Sequence, residues 1–204
     1  HPNALRYECA TMLAVGARCS IGDQLHPSGE LNRSTCQLIG AAYREVAAQE
    51  PWCVDTRKCA EIAVFTVEGF NIGGRHLNSS GDIGVARLLL ESHLQFDIVA
   101  PDADVSRYPL VILPDAIPVD ATLARRLRGY VAQGGKLLLS GTSAVAPSGH
   151  GFWLDIGAED AGAGEFDPSY LWPEPPYRPD FCDTAFVVYA PARRLKPTTG
   201  TVLS

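Results

Sequence analysis

Tyr108-Pro109-Leu110-Val111-Ile112-Leu113-Pro114-Asp115 is an apolar run shut by a proline and an aspartate, and Gly134-Gly135-Lys136-Leu137-Leu138-Leu139-Ser140-Gly141 is a second such run. Between them, Asp120 to Gln133 carries Leu123, Leu127, Tyr130 and Val131 at helical spacing, with Asp120 as N-cap and Gly134 as the stop. Strand, helix, strand with almost no polar residue inside the strands is the pattern of a parallel sheet covered on both faces. The same reading extends toward the N-terminus. Glu61 to Val67 and Phe96-Asp97-Ile98-Val99 are two more apolar runs, separated by a Gly-rich loop from Glu68 to about Ser80 and a helix from Asp82 to Leu94. That helix is expected to turn Ile83, Ala86, Leu90 and Leu94 inward.

Four such strands with intervening helices predict an α/β, flavodoxin-like parallel sheet with strand order 2-1-3-4 over about residues 58–150. Residues 1–57 are different. Ala4 to Leu13 is a helix carrying Leu5, Cys9, Met12 and Leu13, Ala17 to Ile21 is short enough for a buried strand, and Glu30 to about Gln49 is a helix expected to stop at Glu50-Pro51. This β/α unit has no sheet of its own to join. Residues 151–204 are rich in Pro and Gly as far as Pro179, with one strand expected over Thr184 to Tyr189 and another beginning at Gly200. A chain that opens at His1 and ends in a strand start reads as a piece of a longer protein.

The 204 residues are 46% hydrophobic and carry a net charge of −6, an ordinary globular balance. No basic face is present for a phosphate backbone, and no apolar run is long enough for a membrane span, so nucleic-acid and membrane partners are not expected. The six cysteines suit reduced thiols in a cytoplasmic protein of this size, with a Cys53–Cys59 pairing left open.

No catalytic set is complete. Gly69, Gly73 and Gly74 fit neither phosphate-binding fingerprint, and Ser140-Gly141-Thr142-Ser143-Ala144 follows a strand without forming GxSxG. Cys53 and Cys59 have the wrong spacing for a metal and lack a histidine companion, and His76, His93 and His150 stand apart, so neither a metal nor a cofactor is expected. Asp23 and His26 sit together in a loop after an expected strand, the position from which β/α barrels build substrate contacts.

Several strings carry a family resemblance. Gly22-Asp23-Gln24-Leu25-His26-Pro27-Ser28-Gly29, with the helix ending Glu50-Pro51-Trp52, resembles the end of the catalytic barrel in bacterial glycoside hydrolases related to family 42 β-galactosidases and α-L-fucosidases. The two quoted runs and Phe96 to Val99 resemble the β-galactosidase trimerisation domain, similar in fold to class I glutamine amidotransferases. Asp183 to Leu203 is similar to the continuation of these enzymes toward a β domain. The resemblance implies a non-catalytic assembly region, residues 1–57 being the last barrel unit, 58–150 the trimerisation-type domain and 151–204 an extension into a β module. It implies self-association, with a trimer plausible, and a carbohydrate substrate for the full-length parent, near which Asp23 and His26 would lie. The amidotransferase cysteine, due near Gly141 or Thr142, is missing, and so are the barrel strands that would bring the two carboxylates of glycoside hydrolysis. Two rivals are a free-standing amidotransferase-like hydrolase, with Ser143 or Cys59 as nucleophile, and a small-ligand module using the loop from Glu68 to Ser80. On the fragment reading, the first stretch exposes apolar helix faces and the chain self-associates.

Overall fold

The computed structural model describes residues 1–70 and 79–203 and divides the chain into two compact units, His1–Lys58 and Cys59–Ser204.

The first unit is a pair of helices, α1 (Pro2–Ala14) and α2 (Arg33–Cys53). α2 starts three residues later than its sequence suggests because Asn32 is the cap, its Oδ1 accepting from the Ser34 and Thr35 amides at 3.0 and 3.1 Å. It also runs through Pro51 to Cys53. A proline in the last turn removes one helical hydrogen bond but leaves few residues beyond it to redirect, so the helix is not broken there. The expected strand Ala17–Ile21 is irregular chain, since a strand requires a neighbour to pair with and this unit has none. Cys9 and Ala42 are its buried residues.

The second unit is built on four parallel strands, β1 (Ile62–Phe65), β2 (Phe96–Val99), β3 (Leu110–Leu113) and β4 (Lys136–Leu139), in the order β2-β1-β3-β4 expected from the sequence. Helix α3 (Ser80–Glu91) joins β1 to β2, and α4 (Ala121–Ala132) joins β3 to β4. Side chains alternate across the sheet. Ala63, Phe65, Val99, Val111 and Leu113 meet Leu123, Ala124, Leu127 and Tyr130 of α4 in the larger core. Ile62, Val64 and Ile112 point the other way and meet Leu89, with Val85 beside it.

α4 buries the expected Leu123, Leu127 and Tyr130, whereas α3 buries a different stripe from the one expected. On α4 Ala124 is buried and Val131 exposed. On α3 the inward residue is Leu89, while Ile83, Leu90 and Leu94 are exposed. The run Leu88-Leu89-Leu90 offers a leucine in nearly every direction around the axis, so apolar spacing alone does not choose the stripe. The sheet chooses it. Two glycines close the α4–β4 turn: Gly134 takes a φ of +95°, and a Cβ on Gly135 would lie 2.2 Å from the Tyr130 ring.

Past β4 the chain makes two ribbons, β5 (Ala158–Ala163) with β8 (Arg193–Pro197) and β6 (Ser169–Leu171) with β7 (Phe186–Val188), both antiparallel. β7 lies within the expected strand. β5, β6 and β8 carry too few apolar residues to show an alternation, and residues 201–203 form no strand. Most of the loop from Glu68 to Ser80, with Gly73, Gly74 and His76, lies outside the described residues.

Candidate functional site

In an open parallel sheet, ligands settle beyond the carboxyl ends of the strands, where the chain order reverses; here that is between β1 and β3. β1, β3 and β4 each deliver hydroxyl or carboxylate groups to this edge. Thr66 follows β1, and its Oγ1 donates to Asp82 Oδ2 at 2.7 Å, the same oxygen that accepts the Val67 amide at 3.0 Å. Asp82 is thus used to tie the start of α3 to the turn Val67–Phe70. Asp115 follows β3 in a left-handed conformation (φ 41°). Ser140, after β4, donates to Asp115 Oδ1 at 2.7 Å and accepts the Asp115 amide at 2.9 Å. Thr142 Oγ1 donates to the Asp115 carbonyl at 3.0 Å. Gly141 has no room for a side chain, since a Cβ would fall 2.7 Å from that same carbonyl oxygen. Most of these groups are taken up in turn-stabilising bonds, while Asp82 Oδ1 is buried without a hydrogen-bond partner among the described residues.

Ser143, the nucleophile of the amidotransferase-like rival, is buried, and its Oγ accepts the Ile117 amide at 3.0 Å. Among the described residues no histidine or carboxylate is bonded to that oxygen, so it lacks the base that would make it a nucleophile. His150 is exposed in a turn where its backbone binds Ser148. Cys53 is a thiol, so the Cys53–Cys59 pairing is not formed.

Asp23 and His26 are both exposed and engage different groups. Asp23 Oδ1 accepts the Gln24 amide at 2.9 Å, and His26 Nδ1 lies 3.1 Å from Ser28 Oγ. The His26 carbonyl accepts the Gly29 amide at 2.7 Å, closing the turn around Pro27. A cavity of about 250 Å³ in this unit lies elsewhere, between α1 and α2 beside Tyr7, Cys9, Glu45 and Val46. A second, of about 440 Å³, lies beside Phe152, Leu154 and Asp160. Neither touches Asp23, His26 or Ser143. No group of three His, Cys, Asp or Glu among the described residues is placed to hold a metal ion, and no described helix is long and apolar enough to cross a membrane.

Two polar constructions escape sequence reading. Asp97, buried in β2, accepts from Tyr108 Oη at 2.9 Å and from Arg107 at 2.8 Å, and the guanidinium lies over the Tyr108 ring. Burial, with Asp97 adding to it, pushes the Tyr108 hydroxyl above its ordinary value. The signal was an aspartate inside an apolar strand, which calls for a partner without naming it. The other is Asp160 of β5, forked by Arg193 of β8 at 2.8 and 2.6 Å and accepting the Gly151 amide at 2.8 Å. Hydrogen bonding from Arg193 holds the Asp160 carboxyl well below the usual range. Arg193 also reaches the Gly149 carbonyl at 2.5 Å, so one ion pair ties both strands of a ribbon to the segment leaving β4. Thirty-three residues separate the pair, which leaves no local pattern to read.

Among the described residues this arrangement holds turns and buries polar groups. The comparisons agree in kind. Residues 87–156 match the family model of the β-galactosidase trimerisation domain. The sheet unit resembles that domain. Among solved structures, α-L-fucosidase isoenzyme 2 from Paenibacillus thiaminolyticus is 42% identical with a TM-score of 0.91, covering 100% of this chain and 31% of its own. A GH42 β-galactosidase from G. stearothermophilus superposes with a TM-score of 0.72 at 18% identity, over 100% of this chain and 34% of its own, and shows the shared fold. The β-galactosidase of Bacillus circulans sp. alkalophilus does so at 0.62 and 16%, over 88% of this chain and 29% of its own. This chain therefore spans about a third of the length of the first two. Among curated proteins no relative matches.

Proposed function

We propose that this chain is a non-catalytic oligomerisation and scaffold region of a glycoside hydrolase, and that the full-length parent hydrolyses carbohydrate O-glycosidic bonds in the cytoplasm. The observation that carries this is the match of residues 87–156 to a trimerisation domain, joined to a sheet edge whose serines, threonine and aspartates are used to hold turns. In this reading residues 1–57 are the last unit of the barrel, 58–150 the assembly domain and 151–204 the passage to a β module. Asp23 and His26, exposed on one loop, then lie near the sugar of the parent. In this reading the acid and nucleophile of the reaction, two carboxylates facing one glycosidic bond, come from outside this chain.

Multi-angle light scattering on the 204-residue chain, with an aryl-glycoside and glutaminase panel beside it, tests the reading. The expected result is a defined oligomer, a trimer foremost, without turnover. A monomer at high concentration removes the assembly role, and turnover of either substrate class removes the non-catalytic one.

A further inference from the structure

The two faces of the sheet are not equally finished. α4 and the segments from Val105 to Val119 and from Ala144 to Leu154 seal one face into the larger core. Among the described residues of this unit, the cluster on the other face is closed by α3. Four strands spaced about 4.8 Å apart make a surface wider than one helix of roughly 10 Å diameter can cover. The strand register shows what is left over. Ile98 of β2 is level with Val64, and Leu138 of β4 is level with Ile112, so both outer strands place a large apolar side chain on the α3 face. Ile98 is 60% and Leu138 50% exposed, although their inner neighbours Val64 and Ile112 are buried.

α3 adds to this surface instead of closing it. Leu88 and Leu90 are exposed on either side of the buried Leu89, and Leu94 is exposed just past the helix end. The stretch that matches the trimerisation domain, residues 87–156, has six exposed large apolar residues; Leu88, Leu90, Leu94, Ile98 and Leu138 belong to α3, its exit or its sheet face, and Val131 alone belongs to α4. The exposed part of α4 instead carries Arg125, Arg126 and Arg128. The same helix carries the exposed Arg87–Glu91 pair, and exposed apolar surface beside such charges marks a contact made between molecules.

We infer that the α3 side of the sheet, centred on Leu90, Ile98 and Leu138, is the surface through which copies of this chain associate. The occupant is a second copy, because the matched domain is one named for self-association and this side holds nearly all the apolar surface that stretch can offer. The inference rests on the proposed assembly role and adds its location.

The test compares the chain with two charge-introducing variants on this side, Leu90→Glu and Ile98→Lys, and with Val131→Glu on α4 and Trp52→Glu on α2, all by multi-angle light scattering with circular dichroism to establish folding. All four positions are exposed, so the folded monomer tolerates the changes. Leu90→Glu and Ile98→Lys are expected to raise the dissociation constant at least tenfold with unchanged helix and strand content, while Val131→Glu and Trp52→Glu keep the parent mass. A parent chain that is itself monomeric defeats the assembly role. An oligomeric parent broken by Trp52→Glu or Val131→Glu, but not by the α3-side variants, keeps that role and overturns the surface. Loss of folded structure in both α3-side variants also overturns it, since the face would then be covered within the chain.

Discussion

Two regions of one chain treat apolar residues in opposite ways. In His1–Lys58 the helices α1 and α2 bury Cys9 and Ala42, while Tyr7 and Trp52 on the helices and Leu25 and Leu31 between them are exposed. In the sheet unit, Phe65, Val111, Leu113, Leu127 and Ile117 are almost wholly out of water. The hydrophobic effect scales with area removed from water, so the sheet unit stabilises itself and the helix pair gains little from its own packing. Similar apolar residues thus make a core in one place and an unfinished surface in the other.

The sharpest way to break that contrast is to remove the same side chain from both regions. Leu127→Ala, at a fully buried position of α4, is expected to cost about 2–5 kcal/mol in urea unfolding. Leu31→Ala, at a position 66% exposed in the first unit, is expected to stay within about 0.5 kcal/mol. Equal losses at the two positions would mean that the first unit is packed as tightly as the second.

Next in size comes the Asp160–Arg193 fork, because removing the buried Asp160 carboxylate leaves the mostly shielded Arg193 charge uncompensated. Asp160→Asn is expected to lower the melting temperature and open the chain between β5 and β8 to protease, with the four-strand sheet intact. The acid dependence follows from the sign of the shift. The folded-state value of Asp160 lies below its unfolded 3.8, so its contribution is present above that pH and is lost only as pH falls through the folded value. The ribbon should hold at pH 4, which proteolysis at that pH with an acid protease checks.

Most of the sheet unit is legible in its sequence because its signals are local. β2 is found where Phe96 to Val99 predicts it, Asp120 caps α4 through the Leu123 amide at 2.8 Å, and the strand order follows from apolar runs alternating with helices. The misread stripe on α3 has a different cause. Three successive leucines permit several faces, and only the neighbouring Ile62, Val64 and Ile112 select Leu89. The extension was the least legible, since β5 is held by an ion pair spanning 33 residues and not by an apolar alternation. For the site, sequence identified the hydroxyls and carboxylates at the sheet edge and the gap where a cysteine would stand. It did not show that Ser140 and Asp115 are bonded to each other, which is a matter of two loops meeting in space.

A smaller effect separates the units by alkaline pH. Burial raises the hydroxyls of Tyr108 and Tyr130 above their ordinary value of 10, and Tyr130 donates to the Tyr108 carbonyl at 2.8 Å. Both tyrosines belong to the sheet unit. A raised folded-state value gives stability that is complete below pH 10 and falls away as pH rises, because the unfolded chain ionises first. The sheet unit should therefore lose stability above pH 10. Tyr130→Phe should cost about 1 kcal/mol at neutral pH and make that alkaline loss shallower. An unchanged alkaline slope in Tyr130→Phe would remove this tyrosine as a cause.

The smallest expected effect lies in the first unit. Arg6 Nε donates to Glu45 Oε1 at 2.7 Å, joining α1 to α2, with both side chains close to half exposed. Arg6 also donates to Asn3 Oδ1 at 2.9 Å, one turn back on its own helix, so part of its geometry survives without Glu45. In water and salt an exposed pair of this kind contributes about 0–1 kcal/mol. A double-mutant cycle with Arg6→Ala and Glu45→Ala, followed by denaturant unfolding at low and high salt, should give a coupling below about 1 kcal/mol that shrinks as salt rises. A coupling well above that, insensitive to salt, would show the pair shielded from water. The helix pair would then be held by a dry contact, and its difference from the sheet unit would be one of chemistry instead of one of packing.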